Sequence, residues 1–274
     1  GSRLFDAITE LREYYPTRTE ASVMARHAVD IARAVGTGHS LVDLGAGNCA
    51  KAGRLFPALK PQRYVAVDIS VDYLRRSLDS LQRDYPRLEM VGIGMDFSAR
   101  LELPPAAGNG PHIVFYPGSS IGNFTPTMAR GFLRQARMAS QGGSMLVGVD
   151  LVKPADVLVA AYDDELGVTA AFNLNLLLHL NNLLRTNFNV AFWQHVALFD
   201  KVNSRIEMHL QARQDVTVKW PGGERRFNAG ERLLTEYSYK YRRSDFESLL
   251  RDAGFTEIES WVDDREWFAV FAAR

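Results

Sequence analysis

Short apolar runs alternate with helical patterns through the first half of the chain. Ser40-Leu41-Val42-Asp43-Leu44, Tyr64-Val65-Ala66-Val67-Asp68, Leu88 to Ile93, His112 to Tyr116 and Met145 to Asp150 are each brief and nearly all apolar. That pattern belongs to strands buried on both faces of a parallel sheet. Leu74, Leu78 and Leu81 form one stripe of an intervening helix, with Ser70 as its predicted N-cap. Strand and helix in alternation predict a doubly wound α/β fold.

The rhythm changes after Asp150. Residues 152 to 187, rich in Leu and Ala, read as helix, and 192 to 241 read as strand. Ile206, Met208 and Leu210 there fall on one face and Glu207, His209 and Gln211 on the other. The first pattern then resumes, with a helix from Arg243 to Ala253 stopping at Gly254 and strands from Thr256 to Val262 and Trp267 to Ala272. Their brief link, Asp263-Asp264-Arg265-Glu266, forces antiparallel pairing. The α/β pattern is therefore interrupted between Asp150 and Arg243 by an insert, with Pro221-Gly222-Gly223 a turn inside it.

Composition narrows the partners. With 46% hydrophobic and 23% charged residues, the 274-residue chain is neither disordered nor collagen-like. Lys+Arg 32 balance Asp+Glu 32, so no net field draws it to nucleic acid or an anionic membrane, and a small zwitterionic partner is expected. The single cysteine, Cys49, excludes an internal disulfide and suits a reducing cytoplasm; it reads as a packing residue. No apolar stretch approaches the roughly 20 residues that span a bilayer, and Gly1 to Phe5 lack the order of a signal peptide. Histidines 27, 39, 112, 179, 195 and 209 show no metal-binding spacing. No exposed amphipathic repeat calls for a partner, so a monomer is expected.

Asp43-Leu44-Gly45-Ala46-Gly47-Asn48-Cys49-Ala50 joins a predicted strand to a predicted helix. Glycines there let backbone approach a ligand where a helix N-terminus also points. Asp68 ends the next strand, where a carboxylate grips a ribose hydroxyl pair. Both features serve NAD and S-adenosyl-L-methionine alike, and Asp43 separates them. Its charge would repel a pyrophosphate but attract the ammonium group of a methionine moiety. Met95-Asp96-Phe97 adds an acid for the adenine amine and a ring to stack on the base. A parallel sheet finished by an antiparallel hairpin is also the architecture of most S-adenosylmethionine-dependent methyltransferases, the Rossmann-like class I.

Several longer runs match one family: Glu13-Tyr14-Tyr15-Pro16-Thr17-Arg18-Thr19-Glu20, Gly118-Ser119-Ser120-Ile121-Gly122-Asn123-Phe124, Asp150-Leu151-Val152-Lys153, Ala161 to Ala170, Arg205-Ile206-Glu207-Met208 and Thr235-Glu236-Tyr237-Ser238. From Gly1 to Arg274 the chain resembles the histidine-specific Nα-methyltransferases of ergothioneine biosynthesis. The resemblance implies a methyltransferase core, residues 19–150 and 243–274, with a second, α+β substrate-binding lobe made from the N-terminal segment 1–18 and the insert 151–242, and three successive methyl transfers from S-adenosyl-L-methionine to the α-amine of L-histidine. It also implies residue roles. Asn123 holds the amino-acid end of the substrate, Tyr162 bonds its carboxylate, and these two are the catalytic candidates that orient the amine. Tyr14 lies near the imidazole, Met208, Glu236 and Ser238 distinguish histidine from other side chains, and Lys51 joins Asp43, Gly45, Gly47, Asp68, Asp96 and Phe97 toward the cofactor. Strand alternation independently puts Glu236 and Ser238 on one face, where an acceptor and a hydroxyl can read imidazole nitrogens.

Two departures stand out. The loop reads Gly-Ala-Gly-Asn-Cys-Ala-Lys where better-known members tend to have Gly-Ser-Gly-Thr-Ser-Glu-Lys, and the family's usual chain begins upstream in a segment carrying another tyrosine near the substrate. Two alternatives stay open at this point: methylation of another amino acid such as tryptophan or a derivative, and a cofactor-binding protein without turnover.

Overall fold

The computed structural model describes all residues, Gly1–Arg274. The elements in chain order begin with α1 (Ser2–Thr9), α2 (Pro16–Arg26), α3 (Ala28–Val35), β1 (Ser40–Leu44), α4 (Ala50–Gly53), α5 (Phe56–Leu59), β2 (Arg63–Asp68), α6 (Val71–Asp84) and β3 (Glu89–Gly94). They continue through β4 (His112–Tyr116), α7 (Pro126–Ala139), β5 (Ser144–Asp150), α8 (Ala155–Ala160), α9 (Val168–Leu184), β6 (Trp193–Asp200) and β7 (Arg205–Ala212). β8 (Val216–Trp220), β9 (Gly223–Phe227), β10 (Arg232–Tyr239), α10 (Arg243–Asp252), β11 (Ile258–Val262) and β12 (Phe268–Ala273) complete the chain. These elements form two compact units, Pro16–Val152 with Lys240–Arg274 and Gly1–Tyr15 with Lys153–Tyr239. The divisions thus fall at Tyr15/Pro16, Val152/Lys153 and Tyr239/Lys240, where the sequence and its resemblance lead to the expectation of 18/19, 150/151 and 242/243.

The first unit is built on a seven-stranded sheet of order β11-β12-β5-β4-β1-β2-β3. β1 to β5 run parallel, and β12 is antiparallel to both β5 and β11, as the doubly wound pattern with a terminal hairpin predicts. Successive residues feed opposite faces of this sheet. Val42, Val65, Val114, Val147 and Phe271 join Phe132 and Leu133 of α7 and Phe246 and Leu250 of α10. Leu41, Tyr64, Ile113, Leu146 and Val270 join Ile31 and Val35 of α3 with Leu55, Leu59 and Leu74. β3 departs from the expectation of burial on both faces: it ends the sheet, and only Ile93 along it is buried. Ser70 does precede α6, but its side chain makes no capping bond. Asp68 Oδ1 instead accepts the Ser70 N–H at 2.8 Å. At the far end of β5, Lys240 Nζ and Asp150 Oδ2 form a fully buried ion pair at 2.8 Å. Asp150 N–H also donates to Ser119 Oγ at 2.8 Å, so two loops are fixed to that strand end.

The second unit holds α1, α8 and α9, a three-stranded antiparallel sheet of order β10-β7-β6, and the β8-β9 hairpin. The helix expected over 152–187 is broken in two. Asp164 leaves the helical path and its carboxylate accepts the N–H groups of Val168 at 2.9 Å and Thr169 at 2.8 Å. This gives α9 its own N-terminus, because a side chain that bonds backbone donors competes with helix continuation. Burial along β7 alternates as its sequence predicts, with Ile206, Met208, Leu210 and Ala212 buried. Leu210 and Ala212 pack with Leu177 of α9, Trp193, Val218 and Phe227 in a separate small core.

Candidate active site

At the carboxyl ends of β1, β2 and β4 the core contains a cavity of about 300 Å³ lined by Gly45, Asp68, Asp96, Phe97, Tyr116 and Asn123. This is where the strand order reverses about β1, the usual ligand position of an open α/β sheet. Gly45 has φ 73°, and a side chain added to it would point at the Phe97 ring. Asp68 Oδ2 accepts the Gly47 N–H at 3.0 Å and Oδ1 accepts Ser70 N–H. One backbone donor per oxygen orients the carboxylate and leaves each oxygen a lone pair for a diol. Asp96 is exposed, and hydrogen bonds from Ser98 hold its carboxyl below the usual range. Phe97 stands edge-on to Tyr116, with ring centroids 5.9 Å apart. Diol acceptors, an acid and an aromatic wall in one cavity suit a nucleoside.

Three of the expected cofactor residues lie elsewhere. Gly47 supports Asp68 through its backbone. Asp43 is 1% exposed and accepts a 2.7 Å hydrogen bond from Tyr64 Oη on one oxygen, while the buried Oδ1 has no partner. Burial pushes its carboxyl up to about 7, against the opposing effects of the Tyr64 bond and the Lys51 charge. Burial likewise pushes the Cys49 thiol up to about 12, which leaves it a packing residue. Lys51 Nζ pairs with Glu20 Oε2 at 2.7 Å and lines a second cavity of about 170 Å³ with Met24 and Arg54.

Glu20 is the residue that pattern reading passed over. It is 1% exposed, holds Lys51 with one oxygen and accepts the Gly118 N–H at 2.7 Å with the other. Gly118 has φ 76°, and a Cβ there would sit 2.8 Å from Lys51 Nζ. A single carboxylate therefore ties α2 both to the glycine loop's lysine and to the turn after β4. Its signal was the quoted Thr19-Glu20 pair, a carboxylate in a helix whose neighbours Val23 and Met24 are buried.

In the second unit, Tyr162 Oη and Ser238 Oγ share a 2.7 Å hydrogen bond. Tyr14 approaches the Tyr162 ring edge-on at 6.3 Å, whereas the adjacent Tyr15 lies under Lys153 Nζ, 4.5 Å from its ring centroid. Glu236 is directly opposite Met208, and Ser238 opposite Ile206. Tyr14, Tyr162, Met208, Glu236 and Ser238 are thus brought together. Behind them, His195 Nε2 donates to the Tyr162 carbonyl at 2.8 Å, and its Nδ1 is 2.9 Å from Asn173 Nδ2. The carbonyl can only accept, so Nδ1 accepts from the Asn173 amide, which also donates to the His209 carbonyl at 3.1 Å. A histidine alternating with Trp193 and Ala197 on an apolar strand face was the available signal for this support. No group of three or more His, Cys, Asp or Glu side chains could hold a metal ion, and no helix is long and apolar enough to cross a membrane.

The sheet settles the class. A dinucleotide fold would continue its parallel order, whereas here the seventh strand in sequence inserts antiparallel between the fifth and sixth strands of the core, which defines the class I S-adenosylmethionine-dependent methyltransferases. The pyocyanin biosynthetic protein PhzM has this fold, with a TM-score of 0.51 at 15% identity over 98% of this chain and 61% of that one. The whole chain is more specific: residues 1–274 match the histidine-specific, SAM-dependent methyltransferase family, and the protein belongs to it. The histidine N-alpha-methyltransferase of Mycolicibacterium smegmatis is 39% identical, over 96% of this chain and 83% of that protein. Ergothioneine biosynthesis protein 1 of Neurospora crassa is 30% identical over 97% of this chain, which spans 31% of that longer protein.

Proposed function

We propose that the protein transfers methyl groups from S-adenosyl-L-methionine to the α-amino group of L-histidine, as far as Nα,Nα,Nα-trimethylhistidine, in ergothioneine biosynthesis. The observation that carries this reading is the Tyr162, Ser238, Glu236 and Met208 cluster, set in a chain that matches a histidine-specific family along its full length.

S-adenosyl-L-methionine supplies an electrophilic methyl group on a sulfonium. In the core, Asp68 holds the ribose diol, Asp96 the adenine amine and Phe97 the base, with Gly45 and Gly47 keeping the backbone close. Asp43 adds a carboxyl beneath the loop, and Lys51 a positive charge aimed by Glu20. Asn123 orients the amino-acid end of the substrate. In the other unit Tyr162 bonds the substrate carboxylate, Glu236 accepts from an imidazole N–H, Ser238 bonds the second ring nitrogen, and Met208 and Tyr14 supply apolar walls.

Attack on a sulfonium methyl needs only an amine lone pair in line with the breaking bond. The residues' main task is alignment, which can remove several kcal/mol of barrier. No side chain needs to act as a strong base if Tyr162 and Asn123 orient amine that is already neutral. The reading extends to a cytoplasmic monomer that takes a small molecule, and the formal net charge of +0 favours such a partner over nucleic acid or an anionic membrane. Incubation with S-adenosyl-L-methionine and a panel of amino acids, followed by product masses, tests it. Three added methyl groups on histidine alone are expected; another acceptor, or no product, would refute the assignment.

A further inference from the structure

One backbone irregularity decides which face of β10 carries Glu236. From its N-terminal end, Arg232 pairs with Gln211, Leu233 with Leu210 and Leu234 with His209; past the irregularity, Glu236 pairs with Met208, Tyr237 with Glu207 and Ser238 with Ile206. Thr235 has no partner in this ladder. It is the extra residue of a β-bulge, and a bulge re-aims the side chains that follow it. Partners opposite each other in an antiparallel pair project to the same face, so Leu233, Glu236 and Ser238 share the buried face of Ile206, Met208 and Leu210.

A regular ladder would give a different result. Continuing from Leu234 opposite His209, Thr235 would face Met208 and Glu236 would face Glu207, placing two like charges directly across from each other. Ser238 would move to the same outer face, beyond reach of Tyr162. Contacts on both sides oppose that ladder. Arg205 lies 3.9 Å over the Tyr237 ring centroid, holding the C-terminal half of the strand. Arg232 Nε donates to Gln211 Oε1 at 2.7 Å, holding the N-terminal half. The mismatch of one residue is absorbed at Thr235, whose Oγ1 donates to the Met208 carbonyl at 2.9 Å. A side-chain hydroxyl thus serves a backbone acceptor where the ladder is interrupted.

We infer that Thr235 is a positioning residue for substrate specificity: its hydroxyl locks the bulge that turns Glu236 and Ser238 toward Met208, and so aims the imidazole-reading groups. The inference rests on the proposed role of Glu236 in reading histidine. It assigns Thr235 no contact with substrate.

The test compares Thr235→Val, Thr235→Ser and Glu236→Gln with the parent chain by calorimetric binding of histidine and phenylalanine in the presence of S-adenosylhomocysteine. Valine keeps the side-chain shape, removes the hydroxyl and favours a regular strand. The expected result is that Thr235→Val lowers the histidine-to-phenylalanine affinity ratio on the order of tenfold, as loss of aimed hydrogen bonds to an imidazole does. Thr235→Ser should restore the ratio, and S-adenosylhomocysteine affinity should stay within about twofold throughout. If Glu236→Gln lowers the ratio and Thr235→Val leaves it unchanged, the positioning role is wrong while the role of Glu236 stands. If neither variant changes it, the reading of Glu236 has failed and the inference falls with it. A Thr235→Val chain that loses S-adenosylhomocysteine binding as well would mark Thr235 as a general stability element and also overturn the inference.

Discussion

Tyr162 Oη and Ser238 Oγ lie 2.7 Å apart, joining side chains separated by 76 positions in sequence. Either hydroxyl can donate, so the pair can present one acceptor and one donor in two arrangements. That freedom suits a site whose substrate carries both a carboxylate and a ring that acts as donor or acceptor.

Tyr162→Phe removes one member of this pair and the bond proposed for the substrate carboxylate. The Michaelis constant for histidine should rise on the order of tenfold, the usual cost of a lost hydrogen bond to a charged group. Ser238→Ala should also raise it, and the double variant should be less impaired than the two single effects combined, because contacting residues couple. Strict additivity in steady-state kinetics would count against a shared role.

Glu20→Gln leaves Lys51 without its counter-charge while keeping the shape and the Gly118 acceptor. Glu20 is buried and Lys51 partly exposed, with side chains 1% and 29% exposed, so the loss should fall below that of a fully buried pair, at about 2 kcal/mol. Urea unfolding reads the stability change. S-adenosylhomocysteine titration should show weaker binding, since Lys51 loses the carboxylate that anchors it.

Asp43 makes a specific pH prediction. Its folded-state pKa is raised by burial from 3.8 to about 7. Between those values the folded chain keeps a proton that the unfolded chain gives up. Its contribution to stability is therefore fully present below the lower value and is lost as pH rises through the upper one. The melting temperature of the parent chain should fall relative to that of Asp43→Asn on going from about pH 5 to about pH 8. Parallel melting curves for the two chains across that range would refute the assignment.

Asp164→Ala removes the acceptor for two N–H groups at the start of α9, which should cost about 1 kcal/mol. The Asp164 carboxyl is partly buried, which alone would raise its pKa, but bonds from Thr169 and Val168 outweigh this and hold it below the usual range. A lowered carboxylate pKa gives stability that is present above the unfolded value and lost as pH falls through the folded one. The deficit of the variant, followed by denaturant titration, should shrink as the solution becomes acidic.

Much of the core was legible from local chemistry. Five short apolar runs and a brief acidic link between the last two strands dictated a parallel sheet closed by an antiparallel hairpin, since a parallel return would need a longer crossover. The cavity residues Gly45, Asp68, Asp96, Phe97 and Asn123 were named from strand ends and motif matches, and the sheet gathers them because strand ends in such a fold converge. Local pattern was weaker where a single side chain redirects the backbone. The chain from 152 to 187 has a composition close to that of one helix, and the Asp164 carboxylate bonding Val168 and Thr169, together with Gly167 at φ 72°, divides it.

What the sequence determined by itself was periodic or covalent: strands, helices, the glycine loop and the spacing of Glu236 and Ser238 on one face. Which face that would be could not follow from spacing, because a one-residue shift in register exchanges the two faces of a strand. Simple alternation groups Glu236 and Ser238 with Leu234. The tertiary structure groups them with Leu233, since contacts on either side of Thr235 fix both halves of β10 against β7 and leave one residue to bulge. Glu20, Asp43 and Tyr64 show the same limit. Their roles come from partners 21 to 98 positions away, and burial and distant hydrogen bonds exist only once the chain has folded.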